Sequence, residues 1–292
     1  MTDARTTLFG VIGDPIAHSL SPVMQSYFIK EFGLNAVYVA FHVKVDRLTD
    51  AVAGMRALGI AGLNVTVPHK EAVLAAVDRL SDEVRQLGAA NTLKLENGTV
   101  SAHVTDPYGF IESLGEKKDR FNGARVLLLG AGGAARSVCW AAARLGVAEI
   151  ILHDIDAAKS VALVERCRAF GIPRATLLSD LQVPLGQVIS ETPIVINATP
   201  IGMHPYDNRS PIETFSAVDR GHFFYDLVYN PAQTLFLRSA AERGAETQNG
   251  LQMLIFQGLE SMRIWTGLPL HLTAFQLQEL TSLLTKKLES HG

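Results

Sequence analysis

Two sets of residues in this chain have types and spacings suited to chemistry. The first is Gly130-Ala131-Gly132-Gly133-Ala134-Ala135, which fits G-x-G-x-x-A. It follows Val126-Leu127-Leu128-Leu129 and opens an alanine-rich stretch. In a strand-turn-helix unit, Gly130 permits the tight turn, Gly132 lets the backbone approach a pyrophosphate, and Ala135 lets the helix pack close to the strand. The N–H groups of the first helical turn, at Gly133 and Ala134, then face the phosphates. The same pattern also serves as a ligand-free βα turn; the strand before it and the helix after it favour the dinucleotide reading. Asp154 lies 24 residues beyond Gly130, close to the spacing of about 20 for the carboxylate that binds a ribose diol. Asp154 and Asp156 both suit the N-cap of the following helix; the spacing favours Asp154 for the ribose and Asp156 for the cap. A carboxylate there repels a 2′-phosphate, and the next few positions hold no arginine to offset it.

The second set is polar and lies in the first half: Ser19 and Ser21, Asn64, Thr66 and Lys70, Asn91 and Thr92, and Asp106. These hydroxyls, amides, one lysine and one aspartate suit a small polyhydroxylated acid. Each alone has a plainer role. Ser21 and Asp106 precede proline and are good N-caps, Asn91 suits a turn, and Lys70 suits a solvated helix start. Their joint occurrence at strand ends, where open parallel sheets bind ligands, carries the functional reading. His69, beside Lys70, reads as structural. The His, Cys and carboxylate spacings hold no metal-ligand pattern, so no metal is expected.

The elements that must position these residues alternate apolar runs with helical-period segments, the rhythm of βα units around a mostly parallel sheet. Strands are expected over 8–12, 36–43, 61–67, 91–95, 99–104, 125–129, 149–153, 194–197 and 223–227. Helices are expected over 21–31, 46–58, 106–115, 134–145, 157–170, 233–243, 250–265 and 272–288. Asn97-Gly98 is a hairpin turn, and Ser21-Pro22 reads as an N-cap followed by proline at N1. The chain of 292 residues is 48% hydrophobic and 19% charged, so it can bury a sizeable core, as one large domain or two ordinary ones, and is not disordered. A net charge of −3 without a basic run argues against nucleic acid and anionic membrane surfaces as partners. Cys139 and Cys167 are too few and too far apart for a disulfide scaffold. The first residues lack a signal-peptide apolar core, so a soluble cytoplasmic protein is expected.

The polar set, with its flanking residues, resembles the shikimate dehydrogenase family. The matching segments are Gly13 to Pro22 (GDPIAHSLSP), Asn64 to Lys70 (NVTVPHK), Gly88 to Thr92 (GAANT), Thr105-Asp106, Gly130 to Arg136, Asn197 to Met203 (NATPIGM), Asp226 to Pro231 (DLVYNP), and Asn249-Gly250-Leu251 through Gln257-Gly258. They run in family order over nearly the whole chain. The resemblance implies an N-terminal α/β substrate domain over 1–106, completed by C-terminal helices over 247–292, and a Rossmann dinucleotide-binding domain over 107–246, with the active site in the interdomain cleft. It implies reversible reduction of 3-dehydroshikimate to shikimate with a nicotinamide cofactor, a step of aromatic amino acid biosynthesis. By the same resemblance Lys70 and Asp106 are the catalytic pair, and Ser19 and Ser21 bind the substrate carboxylate. Asn64, Thr66, Asn91, Tyr229 and Gln257 hold the ring hydroxyls. Asn197, Thr199, Met203 and Val228 border the cofactor, and Gly250 lies near the nicotinamide.

Two positions depart from the family pattern. Val104 stands where Asn is usual before Thr-Asp, and Asp154-Ile155-Asp156 stands where NADP-using members carry Asn-Arg-Thr. The second departure points to the NAD-using quinate/shikimate branch, with NAD expected ahead of NADP. Shikimate is favoured over quinate by the two serines. The alternatives are a dehydrogenase of quinate or of an aminoshikimate-like acid, which Val104 motivates, and a non-catalytic dinucleotide-binding regulator, which the retention of Lys70 and Asp106 argues against. The oligomeric state, monomer or homodimer, stays open.

Overall fold

The computed structural model describes residues 2–290; residues 1, 291 and 292, which the expected domain ranges include, lie outside the described residues. In chain order the elements are β1 (Thr7–Gly13), α1 (Ser21–Glu31), β2 (Ala36–His42), α2 (Leu48–Leu58), β3 (Gly62–Val65), β4 (Arg79–Leu80), α3 (Asp82–Leu87), β5 (Thr92–Glu96), β6 (Thr99–His103), α4 (Asp106–Ser113), β7 (Arg125–Leu129), α5 (Gly133–Arg144), β8 (Glu149–His153), α6 (Ala157–Ala169), β9 (Arg174–Leu177), α7 (Leu185–Ser190), β10 (Ile194–Asn197), β11 (Phe223–Asp226), α8 (Leu235–Ala241), β12 (Glu246–Asn249), α9 (Leu251–Thr266) and α10 (Ala274–Glu289). They form two compact units. One holds the described residues up to Gly109 and those from Ile255 onward; the other is Phe110–Leu254. The divisions therefore run through α4 and α9.

The sheet of the first unit has the order β2-β1-β3-β5-β6-β4. β1 pairs in parallel with β2 and β3, while β3-β5 and β5-β6 are antiparallel. Asn97 and Gly98 have φ of 51° and 78°, so the Asn-Gly turn between β5 and β6 is the expected hairpin turn. The C-terminal helices complete this unit's core. Trp265 of α9 stacks on Phe9 with ring centroids 4.8 Å apart and donates its indole N–H to Leu93 O at 2.8 Å. Gly62 lies under that indole, and a Cβ there would come within 2.3 Å of the ring nitrogen. From α10, Glu279 accepts the Tyr27 hydroxyl of α1 at 2.7 Å.

The sheet of the second unit is parallel throughout, in the order β12-β11-β10-β7-β8-β9. Read from β9, this is the doubly wound order 3-2-1-4-5-6, whose direction reverses between β7 and β10. The run Val126-Leu127-Leu128-Leu129 is apolar throughout because both faces are covered. Val126 and Leu128 pack into a cluster with Ile150, Leu152, Ile194 and Ile196, while Leu127 and Leu129 pack with Ile151, Val195 and Phe224.

The pattern does not forecast β4, β9, β12, α3 or α7. β12 reads Glu-Thr-Gln-Asn and is nowhere buried, so it carries no apolar signal and is a strand only because β11 offers its edge. The expected Ser21 N-cap is corrected: Leu20 is the N-cap of α1, no side chain caps it, and Ser21 is the first helical residue.

Candidate functional site

Lys70 and Asp106 meet in the first unit. Lys70 ends the loop after β3, and Asp106 is the first residue of α4, where a carboxylate suits the helix dipole. The Lys70 ammonium donates to Asp106 Oδ2 at 2.6 Å. Asp106 is 16% exposed and Lys70 33% exposed at the side chain, so the pair can be reached by a ligand while its surroundings stay largely dry. Asn91 organises this pair. Its Nδ2 donates to Asp106 Oδ1 at 2.8 Å, to Thr105 Oγ1 at 2.9 Å and to Gln257 Oε1 at 3.2 Å. Its Oδ1 accepts from Thr105 N at 2.8 Å. The amide thus fixes the carboxylate that fixes the amine, and Asn91 is not a mere turn residue. The loop carrying Lys70 is pinned by His69, which is fully buried and bonded to Val43 O at 2.6 Å. His69 is structural, as expected.

Asn64, Thr92 and Ser261 extend this lattice inward. Asn64 Nδ2 donates to Ser261 Oγ at 2.9 Å, and its Oδ1 accepts the Tyr38 hydroxyl at 2.8 Å. Thr92 Oγ1 and Ser261 Oγ lie 2.8 Å apart. Tyr38 and Ser261 were not singled out from the sequence, and Thr105 entered only as the neighbour of Asp106. Ser261 had a signal, being four residues after Gln257 and so on the same helical face. Of the expected substrate residues, Thr66 is half-buried and its hydroxyl has no hydrogen-bond partner among the described residues. Ser19 accepts the Ser21 N–H at 3.2 Å, leaving its own hydroxyl proton available. Tyr229 belongs to the second unit, and burial raises its phenol above the ordinary range. Val104, the departure beside Thr105, packs against the apolar cluster of Leu93, Val100 and Ala102.

In the second unit, the glycine turn has the shape its sequence implies. Gly130 has φ of +107°, and a Cβ there would lie 2.9 Å from the Ala198 backbone, so no other residue fits. Gly132, Gly133 and Ala134 are exposed at the start of α5, while Ala135 is fully buried against the sheet. Asp154 is gripped by backbone: its Oδ2 accepts Ala131 N at 2.7 Å, its Oδ1 Asp156 N at 2.8 Å. Asp156 is the N-cap of α6 and accepts Lys159 N at 3.0 Å. The helix cap is therefore Asp156, and Asp154 is turned toward a cavity of about 540 Å³ lined also by Leu129, Thr199, Pro200, Ile201, Tyr206 and Arg209. Ile155 lines the same cavity and is 98% exposed, an apolar surface offered to a flat ligand. Exposed helix-terminal amides, a fixed carboxylate and an apolar-walled cavity fit a dinucleotide. Arg209 has no signal in the sequence, because it follows Asp154 by two helices, two strands and a long loop.

Asn197, Val228 and, through Asn197, Thr199 are tied together by Asp226, which the resemblance did not assign a role. Asp226 Oδ1 accepts Asn197 Nδ2 at 2.9 Å and Val228 N at 3.0 Å, and Oδ2 accepts the Thr234 hydroxyl at 2.6 Å. Asn197 Oδ1 accepts both N and Oγ1 of Thr199, at 3.0 and 2.7 Å. Gly250 is required by packing alone, since a Cβ would sit 2.1 Å from Leu227 O. Met203 is 43% exposed on the loop that follows. Burial raises the Asp226 carboxyl to about 6 from 3.8, against the three hydrogen bonds that lower it. The folded state then holds this proton more tightly than the unfolded chain, so Asp226 favours folding below about pH 4 and loses that contribution as pH rises through 6. Asp226→Asn removes the titration. Its melting temperature relative to wild type is expected to rise between pH 4.5 and 7.5; a constant difference over that range would refute the assignment.

Among the described residues, no group of His, Cys, Asp and Glu could hold a metal ion, and no helix is long and apolar enough to cross a membrane. Residues 11–93 match the family described as the shikimate dehydrogenase substrate binding domain. The chain is 41% identical to shikimate dehydrogenase (NADP(+)) of Caldanaerobacter subterraneus subsp. tengcongensis over 265 residues, 91% of this chain and 93% of that protein. It is similar to a shikimate dehydrogenase crystallised with NADP+, with a TM-score of 0.87, 35% identity and 98% of each chain covered. The shikimate 5-dehydrogenase of Listeria monocytogenes, solved with shikimate and NAD, gives a TM-score of 0.87 at 33% identity, over 97% of this chain and 98% of that one. Similarity over nearly the whole length, with the motif residues assembled as described, shows that the chain belongs to the shikimate dehydrogenase family.

Proposed function

We propose that the chain is a shikimate dehydrogenase that interconverts shikimate and 3-dehydroshikimate, using NAD in preference to NADP. The observation that carries the reading is the Lys70–Asp106 pair at 2.6 Å, held by Asn91 at the head of α4. A regulator that only bound a dinucleotide would have no need of this pair. The substrate part, expected over 1–106 with 247–292, is assigned to the first unit and the dinucleotide part, expected over 107–246, to the second, whose range extends to Leu254 because β12 pairs with β11. A bound nicotinamide dinucleotide supplies the hydride acceptor and donor. Lys70 serves the proton: its amine takes it from the substrate hydroxyl in oxidation, and its ammonium returns it to the carbonyl oxygen in reduction. Asp106 orients Lys70 and accepts a hydrogen bond from the same hydroxyl. Thr66, Asn64, Asn91, Gln257 and Tyr229 hold the ring hydroxyls, with Thr66 the best placed because its hydroxyl has no protein partner among the described residues. Gly130, Gly132, Gly133, Ala134 and Ala135 shape the pyrophosphate site, Asp154 takes the ribose diol, and Asn197, Thr199, Met203, Val228 and Gly250 border the nicotinamide. The aminoshikimate alternative rests on Val104 alone, a partly buried side chain packed against an apolar cluster.

The test is a matrix of shikimate, quinate and aminoshikimate against NAD and NADP. Shikimate with NAD is expected to give the highest kcat/KM, and absence of turnover with shikimate under either cofactor overturns the reading. Ser19→Ala and Ser21→Ala are each expected to raise the KM for shikimate, since a charge-assisted hydrogen bond to its carboxylate is worth about 1.5–3 kcal/mol. Because Ser21 does not cap α1, its replacement should leave the melting temperature unchanged. Unaltered KM in both variants would remove the serines from the carboxylate site.

A further inference from the structure

The cavity beside Asp154 has a second charged group, and it comes from a remote part of the chain. Two cations line this cavity, Lys159 and Arg209. Lys159 is engaged, pairing with Asp156 at 3.1 Å. Arg209 has no carboxylate within ion-pairing distance among the described residues; its guanidinium lies over the Tyr206 ring, 5.7 Å from the centroid. An arginine on an aromatic face keeps its planar fork of donors while losing little further freedom on binding.

The loop that carries Arg209 is built to hold it there. Asn197 Nδ2 donates to Ile201 O at 2.9 Å, and Thr199 Oγ1 accepts Ile201 N at 3.1 Å, fixing the base of the loop. Further out, Tyr206 O accepts both Gly202 N at 3.2 Å and Arg209 N at 3.0 Å, and Tyr206 N donates to Met203 O at 2.6 Å. Tyr206 therefore pins the loop by its backbone and seats the guanidinium by its ring.

We propose that Arg209 is a specificity-determining residue that reads the 2′ position of the adenosine ribose and lets this site accept a 2′-phosphate despite Asp154. The proposal rests on the dinucleotide reading of the second unit. The carboxylate, locked by two backbone N–H groups, serves a free diol; the guanidinium of Arg209 offers a bidentate partner to a phosphate. One cavity thus holds an acceptor for NAD and a donor fork for NADP. NAD leads because the carboxylate is fixed and the arginine is exposed, and NADP binding is retained because its added charge is met.

The experiment measures binding of adenosine 2′,5′-bisphosphate and of AMP to the full chain by calorimetry, which needs no turnover. In Arg209→Gln the bisphosphate is expected to weaken about tenfold or more, as for loss of a hydrogen bond between charged groups, while AMP weakens by far less. Arg209→Lys, which keeps the charge without the fork, should fall in between. Equal weakening of both probes would mean that Arg209 only covers the base, and a wild-type chain that binds the bisphosphate ten times more weakly than AMP would mean that Asp154 alone decides; either result overturns the proposal. The dehydrogenase reading fails separately, through absent shikimate turnover with the nucleotide discrimination intact.

Discussion

Lys70→Ala is expected to lower kcat for shikimate oxidation by about two to four orders of magnitude, the range for losing a positioned general acid or base. The KM for shikimate should change much less, because Ser19, Ser21, Thr66 and the Asn91 lattice remain. The geometry sharpens this expectation. Asp106 has two partners, Lys70 on Oδ2 and Asn91 on Oδ1, so removing the lysine leaves the carboxylate still held by the amide. The site should keep its shape and lose its proton carrier. Steady-state kinetics at saturating NAD, with a melting curve to confirm folding, decides the matter: a variant with wild-type turnover shows that Lys70 moves no proton. Asp106→Asn is the useful companion, since an amide can still contact Asn91 but cannot pair with the ammonium.

Replacing Asp154 by Asn together with Ile155 by Arg is expected to move the ratio of kcat/KM for NAD over that for NADP by about 100- to 10,000-fold toward NADP. Two effects combine: a carboxylate facing the 2′-phosphate is removed, and a charge-assisted fork is added, each worth about 1.5–3 kcal/mol. The KM for shikimate should stay nearly constant, because Ser19, Thr66 and Lys70 belong to the first unit and Asp154 to the second. The structure also exposes a cost of this design. Asp154 uses one oxygen for Ala131 N and the other for Asp156 N, and asparagine has a single acceptor oxygen. The glycine turn should loosen, so absolute activity with both cofactors falls, and the ratio within one protein is the meaningful readout. Ile155→Arg alone keeps the carboxylate and should give a smaller shift. A wild-type ratio favouring NADP would overturn the preference for NAD and give Arg209 the larger share of the selectivity.

Much of this protein is legible in the chain because the relevant physics is local. The Val126–Leu129 run, the positive-φ requirement at Gly130 and the alanine-rich start of α5 together specify a strand, a turn and a helix within a short stretch. The Asn97-Gly98 hairpin and the Asp156 cap are equally local, and so was the placing of Asp154 outside the cap. Other features depend on which segments meet. β4, β9 and β12 are short edge strands with weak apolar patterns, ordered by a neighbour's free backbone groups. Ser21 would have suited an N-cap, but the chain enters α1 one residue earlier and leaves its hydroxyl for other work. Asn91 becomes the hub of the candidate site only because β5 lies beside β3 and α9 delivers Gln257 to it. Asp226 lies in a motif that assigns it no role, and Arg209 lies in none; the parallel order of β7, β10 and β11 makes one the anchor of the β10 loop, and the fold of that loop brings the other to the cavity of Asp154. Backbone preferences act over a few residues and can be read in sequence, whereas the partner of a buried polar group or a free guanidinium is chosen by packing between segments tens of residues apart.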